Sequence, residues 1–234
     1  MINGKKILGI IPARGGSKAI PRKNLKLLAG KPLIAWTIEE ANKSQYLDRL
    51  ILSSEDAEII ETAAALGCET PFVRPVELAR DDTPGIEPVI HALNCIGVHY
   101  DYVVLLQPTS PLRTKEDIDG CIHYCVQEGA PVCVSISLTD KHPYWMHTLD
   151  ERHRLHPLLQ TGQSIKRRQD LPPIYIENGA VYVAETNFLL LKKNYITTET
   201  LAYIMPPDRS WDIDSEADFH YCSLLKGGYY DITR

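Results

Sequence analysis

Four short runs, Lys6–Ile11, Leu50–Ser53, Tyr102–Leu106 and Val132–Ser137, are apolar at most positions rather than at every second one. A strand of that kind has to bury both faces, which a parallel sheet covered by helices on either side allows. Between and after the runs, segments of helical period occupy Pro32–Asn42, Ala57–Leu66, Glu87–Ile96 and Thr114–Val126. Pro32 suits a helix start, and Ser54 or Asp56 suits a cap for the second helix. The first two-thirds of the 234 residues therefore predicts repeated βαβ units, an α/β fold with a mainly parallel sheet flanked by helices. The alternating run Ala180–Ala184 and the stretch Leu201–Met205 return to the sheet, and Ser215 caps a closing helix to Leu225. Residues 140 to 175, aromatic and His-rich at Pro143-Tyr144-Trp145-Met146-His147 and Pro-broken near the end, predict an excursion from the sheet within a single domain spanning 1–234.

Ligands of such sheets collect beyond the carboxyl ends of the strands. There the chain places Ala13-Arg14-Gly15-Gly16-Ser17-Lys18, then Pro21-Arg22-Lys23-Asn24. Gly15 and Gly16 let backbone approach an anion, while Arg14, Lys18, Arg22 and Lys23 concentrate positive charge, so the loop reads as a grip for a nucleoside triphosphate. The other reading is a basic surface turn. Neither phosphate-loop fingerprint fits, because Ser17 precedes Lys18 and there is no G-x-G-x-x-G.

With 25 Lys+Arg against 30 Asp+Glu the formal charge is −5, which argues against a nucleic-acid binder and makes the basic loop a local feature. No stretch approaches the roughly 20 apolar residues that span a bilayer, so a cytoplasmic enzyme is expected. Six cysteines lie at 68, 95, 121, 125, 133 and 222 without a C-x-x-C pair, which favours buried free thiols over a zinc site.

A second chemical feature is Asp212-Ile213-Asp214. In an extended segment, positions i and i+2 point to one side, so the two carboxylates are expected to face one pocket. Two carboxylates beside a triphosphate suit magnesium, which shares its shell with phosphate oxygens and water. Alone, such a pair is more often a solvated strand end or a cap for the following helix, a part that Asp214 with Ser215 could play.

These motifs together resemble the acylneuraminate cytidylyltransferases, the synthetases of CMP-sialic acid and related CMP-nonulosonic acids. The resemblance rests on Pro12–Lys18 with Pro21–Asn24, Leu28–Ile34, Arg74–Ala79, Leu106–Arg113, Arg167–Asp170, Glu177–Ala180 and Asp212–Asp214, in that order. It implies a nucleotidyltransferase fold of Rossmann-like, GT-A-like type, and a homodimer in which the excursion at 140–175 reaches the partner subunit. The implied reaction is transfer of CMP from CTP to a nine-carbon 2-keto sugar acid such as N-acetylneuraminate or legionaminate, with Mg²⁺. By the same resemblance, Arg14 and Lys23 hold the triphosphate with Ala13, Gly15, Ser17 and Lys18 nearby. Asn24 and Arg74 hold the nucleoside, Gln107 meets the sugar acid, and Lys166 and Arg168 are candidates for its carboxylate or for the phosphates. Asp212 and Asp214 bind the metal. Synthetases of CMP-pseudaminate or CMP-octulosonate, and a hexose-1-phosphate nucleotidyltransferase, are the alternatives.

Overall fold

A computed structural model of the chain describes residues 2–159 and 167–227. Its elements run β1 (Ile7–Pro12), β2 (Leu27–Leu28), β3 (Lys31–Pro32), α1 (Leu33–Asn42), β4 (Arg49–Ser53), α2 (Ala57–Ala65), α3 (Glu87–Cys95), β5 (Tyr102–Leu106) and α4 (Lys115–Gln127). Then come β6 (Val132–Thr139), β7 (His147–Leu149), β8 (Leu155–Pro157), β9 (Ile174–Glu185), α5 (Thr186–Lys192), β10 (Thr200–Met205) and α6 (Glu216–Lys226). Six strands form one sheet in the order β10-β6-β9-β5-β1-β4. All neighbours are parallel except β9, which runs antiparallel to both β5 and β6.

The apolar runs bury both faces for the reason their composition suggests. Along β5, Val104 and Leu106 join Ile7, Ile11, Ile34, Ile38, Ile59 and Ile118 on one side, under α1, α2 and α4. Val103 and Leu105 join Leu8, Ile10, Val89 and Leu189 on the other, under α3 and α5. A third cluster, with Ile20, Leu28, Leu33, Ile213, Phe219 and Cys222, fastens the loop after β1 to α6. Five of the six thiols are buried and all six are free. Asp56 caps α2 by accepting from Ile59 N at 3.0 Å, and Ser215 caps α6 in a capping box with Asp218.

From β1 the chain steps to β4 on one side and then to β5 on the other, so the strand order reverses at β1. The crevice beyond the carboxyl ends of β1 and β5 is where such a fold accepts a ligand. β9 extends past it: Val181 pairs with Leu106, the last residue of β5, which leaves Glu177–Ala180 beside the crevice. Beyond β6 the chain leaves the sheet, and β7 and β8 pair as an exposed antiparallel ribbon. Among the described residues no helix is long and apolar enough to cross a membrane.

Candidate active site

The loop after β1 closes on itself and on neighbouring turns. Ala13 N donates to Ser53 O at 3.0 Å, continuing the β1–β4 pairing, and Asn24 Nδ2 donates to Arg14 O at 3.0 Å. Arg22, in the left-handed region at φ 55°, pairs with Asp56 and Glu58. Gly15 stands so close to Asp56 that a side chain there would strike the carboxylate, which explains glycine at that position.

Arg14, Ser17, Lys23, Asn24, Arg74 and Gln107 line one cleft of about 280 Å³ at the strand ends. Six residues singled out from the sequence therefore share a surface. Ala13 is buried behind it, and Lys18, mostly exposed, stands at its edge. Arg14 Nη1 and Lys18 Nζ each lie 2.8 Å from one of the two oxygens of Asp81, which the sequence reading had not selected. Lys18 first, and Arg14 after it, hold the Asp81 carboxyl below the ordinary carboxylate range. Asp81 lines the cleft, with its carboxylate held between the two cations.

A second cavity of about 320 Å³ adjoins the first, sharing Gly85, Leu105 and Gln107 with it and adding Glu177, Tyr182, Tyr195 and Ile196. Gln107 stands at the junction. A Cβ at Gly179 would lie 2.8 Å from Gln107 Oε1 and 3.5 Å from Asp212 Oδ2, and the backbone there has φ +69°; both facts demand glycine. Neighbouring Asn178 is buried and ties β9 to β6 and to the loop before Asp212, accepting from Ser135 Oγ at 2.7 Å and donating to Ser210 Oγ at 3.0 Å.

The Asp212-Ile213-Asp214 segment is not a strand, and its carboxylates differ in setting. Ile213 is fully buried, its N–H bonded to Thr109 O at 2.9 Å and its carbonyl accepting from Lys23 Nζ at 2.7 Å. That anchor draws Asp212 inward and leaves Asp214 exposed, so the two carboxylates are unequally buried although close enough for the Asp214 charge to act on Asp212. Burial raises the Asp212 pKa; a Thr109 hydrogen bond opposes the rise, and the Asp214 charge adds to it. Asp212 Oδ1 is buried without a hydrogen-bond partner. An acceptor oxygen left unpaired in that way, with a second carboxylate nearby, fits a hard cation that takes two protein oxygens. Among the described residues no group of three or more His, Cys, Asp or Glu forms a metal cage.

Beneath the junction lies Arg113, fully buried. It donates from Nη1 to Gln107 O at 3.1 Å and Ala180 O at 2.6 Å, and from Nη2 to Thr37 Oγ1 at 2.6 Å. Burial pulls its pKa down to about 10. Lys166 and the Arg168 side chain, both expected at the site, lie outside the described residues. Glu177 accepts from Tyr182 Oη at 3.5 Å.

A family model described as cytidylyltransferase matches residues 8–218. The chain belongs to the cytidylyltransferase family. This cytidylyltransferase is 35% identical over 219 residues to CMP-N,N'-diacetyllegionaminic acid synthase of Legionella pneumophila, covering 92% of this chain and 93% of that protein. It is 34% identical over 215 residues to N-acylneuraminate cytidylyltransferase of Streptococcus agalactiae, covering 92% of this chain and 52% of that protein, so it spans about half of that relative. A solved structure of CMP:2-keto-3-deoxy-manno-octonic acid synthetase complexed with CTP superposes with a TM-score of 0.71 at 16% identity, over 94% of this chain and 98% of that one, and shows the shared fold. As a member of this family the cytidylyltransferase is a nucleotidyltransferase enzyme.

Proposed function

We propose that the chain transfers CMP from CTP to the anomeric hydroxyl of a sialic-acid-type nonulosonic acid, with release of pyrophosphate. The observation that carries this reading is the pair of adjoining cavities meeting at Gln107: a basic cleft for the nucleotide, and an aromatic one for the acceptor, with Asp212 within reach of the junction. The hydroxyl oxygen forms a bond to the α-phosphorus as the bond to the pyrophosphate oxygen breaks. Little covalent chemistry falls to the protein, so positioning and charge neutralisation dominate.

In this reading Arg14, Lys23, Ser17 and Lys18 hold the triphosphate, and Asn24 and Arg74 hold the nucleoside. Gln107 orients the acceptor across the junction, with Lys166 and Arg168 meeting its carboxylate, for which an arginine fork is well shaped. Asp212 and Asp214 would hold Mg²⁺, which when bound offsets charge on the phosphates and leaving group. Lys23, bonded to the carbonyl between those two aspartates, keeps the phosphate loop and the carboxylates in register. The ribbon β7–β8 and its flanks expose Trp145, Met146, Leu149, Leu155, Leu158 and Leu159, an apolar surface that a second copy would cover in a homodimer.

The reading is tested by pyrophosphate release from CTP, UTP, GTP and ATP, each paired with N-acetylneuraminate, legionaminate, pseudaminate and a hexose-1-phosphate, with and without Mg²⁺. Release confined to CTP, a nonulosonic acid and Mg²⁺ is expected; release with the hexose-1-phosphate, or none with any pair, contradicts it. A related prediction concerns Asp81, which an incoming phosphate has to displace. Asp81→Asn is expected to lower the KM for CTP about two- to fivefold, the scale of an exposed ion pair. Initial rates at fixed acceptor check this, and a raised KM would show instead that Asp81 helps hold the nucleotide.

A further inference from the structure

Glu55 carries none of the roles assigned above, yet it joins two residues that do. Its Oε1 accepts from the Gly15 backbone N–H at 2.7 Å, and its Oε2 accepts from Arg74 Nη2 at 2.6 Å. The same guanidinium nitrogen lies 3.4 Å from Ala13 O, and Arg74 N donates to Ser54 O at 2.9 Å. One carboxylate therefore bridges the phosphate loop and the segment that supplies the nucleoside residue. The bridge is shielded, with the side chains of Glu55 and Arg74 13% and 3% exposed.

Glu55 differs from Asp81 in where it stands. Asp81 lines the cleft, between two cations a phosphate would use; Glu55 and Gly15 do not line it. Glu55 thus braces the cleft from behind and has no need to leave when a nucleotide enters. Charge-assisted hydrogen bonds in surroundings poor in water hold both partners stiffly, and loss of the carboxylate leaves a buried guanidinium unpaired. The Gly15 amide, already committed to Glu55, is also not free to meet a phosphate oxygen, so the loop's grip depends on being held in shape.

We infer that Glu55 is a positioning residue that makes the grip on the triphosphate and the grip on the nucleoside interdependent. The inference rests on the proposed assignment of the Arg14 loop to phosphates and of Arg74 to the nucleoside. The test is equilibrium binding of pyrophosphate and of CMP, each alone, to the wild-type protein, Glu55→Gln, Glu55→Asp and Arg74→Lys, with thermal midpoints recorded alongside. Glu55→Gln weakens both ligands about tenfold, the order expected for a lost charge-assisted hydrogen bond. Glu55→Asp, which keeps the charge and loses reach, recovers part of that loss. Arg74→Lys weakens pyrophosphate as well as CMP, but adds less than twofold to the pyrophosphate loss when Glu55→Gln is already present.

Unchanged pyrophosphate binding in Arg74→Lys overturns the inference, as does a Glu55→Gln protein that loses affinity for CMP alone. If Glu55→Gln does not fold, the pyrophosphate titration of Arg74→Lys decides. A wild-type protein that binds neither ligand sinks the parent reading and this inference with it, whereas one that binds both, with variants that show no cross-effect between the two ligands, sinks the inference alone.

Discussion

Asp212→Asn is expected to lower kcat about 10³-fold, the scale of removing a group that neutralises charge on a transferring phosphoryl group. The fold should not suffer. In the metal-free protein burial raises the pKa of Asp212, so its ionised form is disfavoured in the folded chain relative to the unfolded one. That cost is absent below the ordinary carboxylate pKa of about 3.9, grows as pH rises through it, and is fully present above the folded-state value. An amide carries no such cost. The thermal midpoint of Asp212→Asn at pH 7 is therefore expected at or above that of the wild type, with the difference shrinking toward pH 4. Initial rates with CTP, and melts at the two pH values, check both halves. A loss under tenfold in kcat would remove Asp212 from the machinery. Asp214→Ala should abolish turnover in the same way without moving the midpoint, because an exposed carboxylate contributes little to stability.

Arg113→Ala is expected to destabilise the protein by about 3–5 kcal/mol, a large share of the roughly 5–15 kcal/mol a domain possesses. Arg113 is fully buried and donates to Gln107 O, Ala180 O and Thr37 Oγ1, so truncation opens a cavity and strips three polar atoms of a donor. Two of those atoms are backbone carbonyls of the residues that shape the junction: Gln107, just past β5, and Ala180, next to Gly179 on β9. Whatever folded protein survives is expected to show a raised KM for the acceptor with a smaller change for CTP. Urea unfolding and acceptor-dependent rates measure the two effects. A midpoint within experimental scatter of the wild type would contradict the account of this buried cation.

The sheet was legible because its strands bury both faces. The run Tyr102–Leu106 predicts a strand with the same bounds as β5, and Pro32 predicts the start of α1 to within a residue. β9 was only half legible. Its second half packs in the core, but Tyr175–Glu177 are exposed and held by backbone pairing to the end of β6, which leaves no hydrophobic pattern to read. Its antiparallel direction is likewise set by the excursion before it rather than by its residues.

At the site, the glycine-rich basic loop announced itself through residue type and position at a strand end, whereas Gln107 was singled out only through the family resemblance. Glu55, Asp81 and Arg113 were not singled out. A carboxylate between Gly15 and Arg74, or between Arg14 and Lys18, acquires its meaning only when distant turns meet. Arg113 follows a proline-rich turn that reads as surface until the core closes over it. The unequal burial of Asp212 and Asp214 was hidden for a similar reason, since it comes from Ile213 being drawn into a cluster with Ile20, Leu28 and Phe219.

The central claim is that the α-phosphoryl group of CTP passes to the sugar acid while the other two phosphates leave together. Reaction with CTP labelled at either the α- or the γ-phosphate, followed by separation of sugar nucleotide, pyrophosphate and CMP, tests it most directly. The α-label is predicted in a CMP-sugar acid and the γ-label in pyrophosphate. A γ-label on the sugar, or an α-label recovered only as free CMP, would contradict the account.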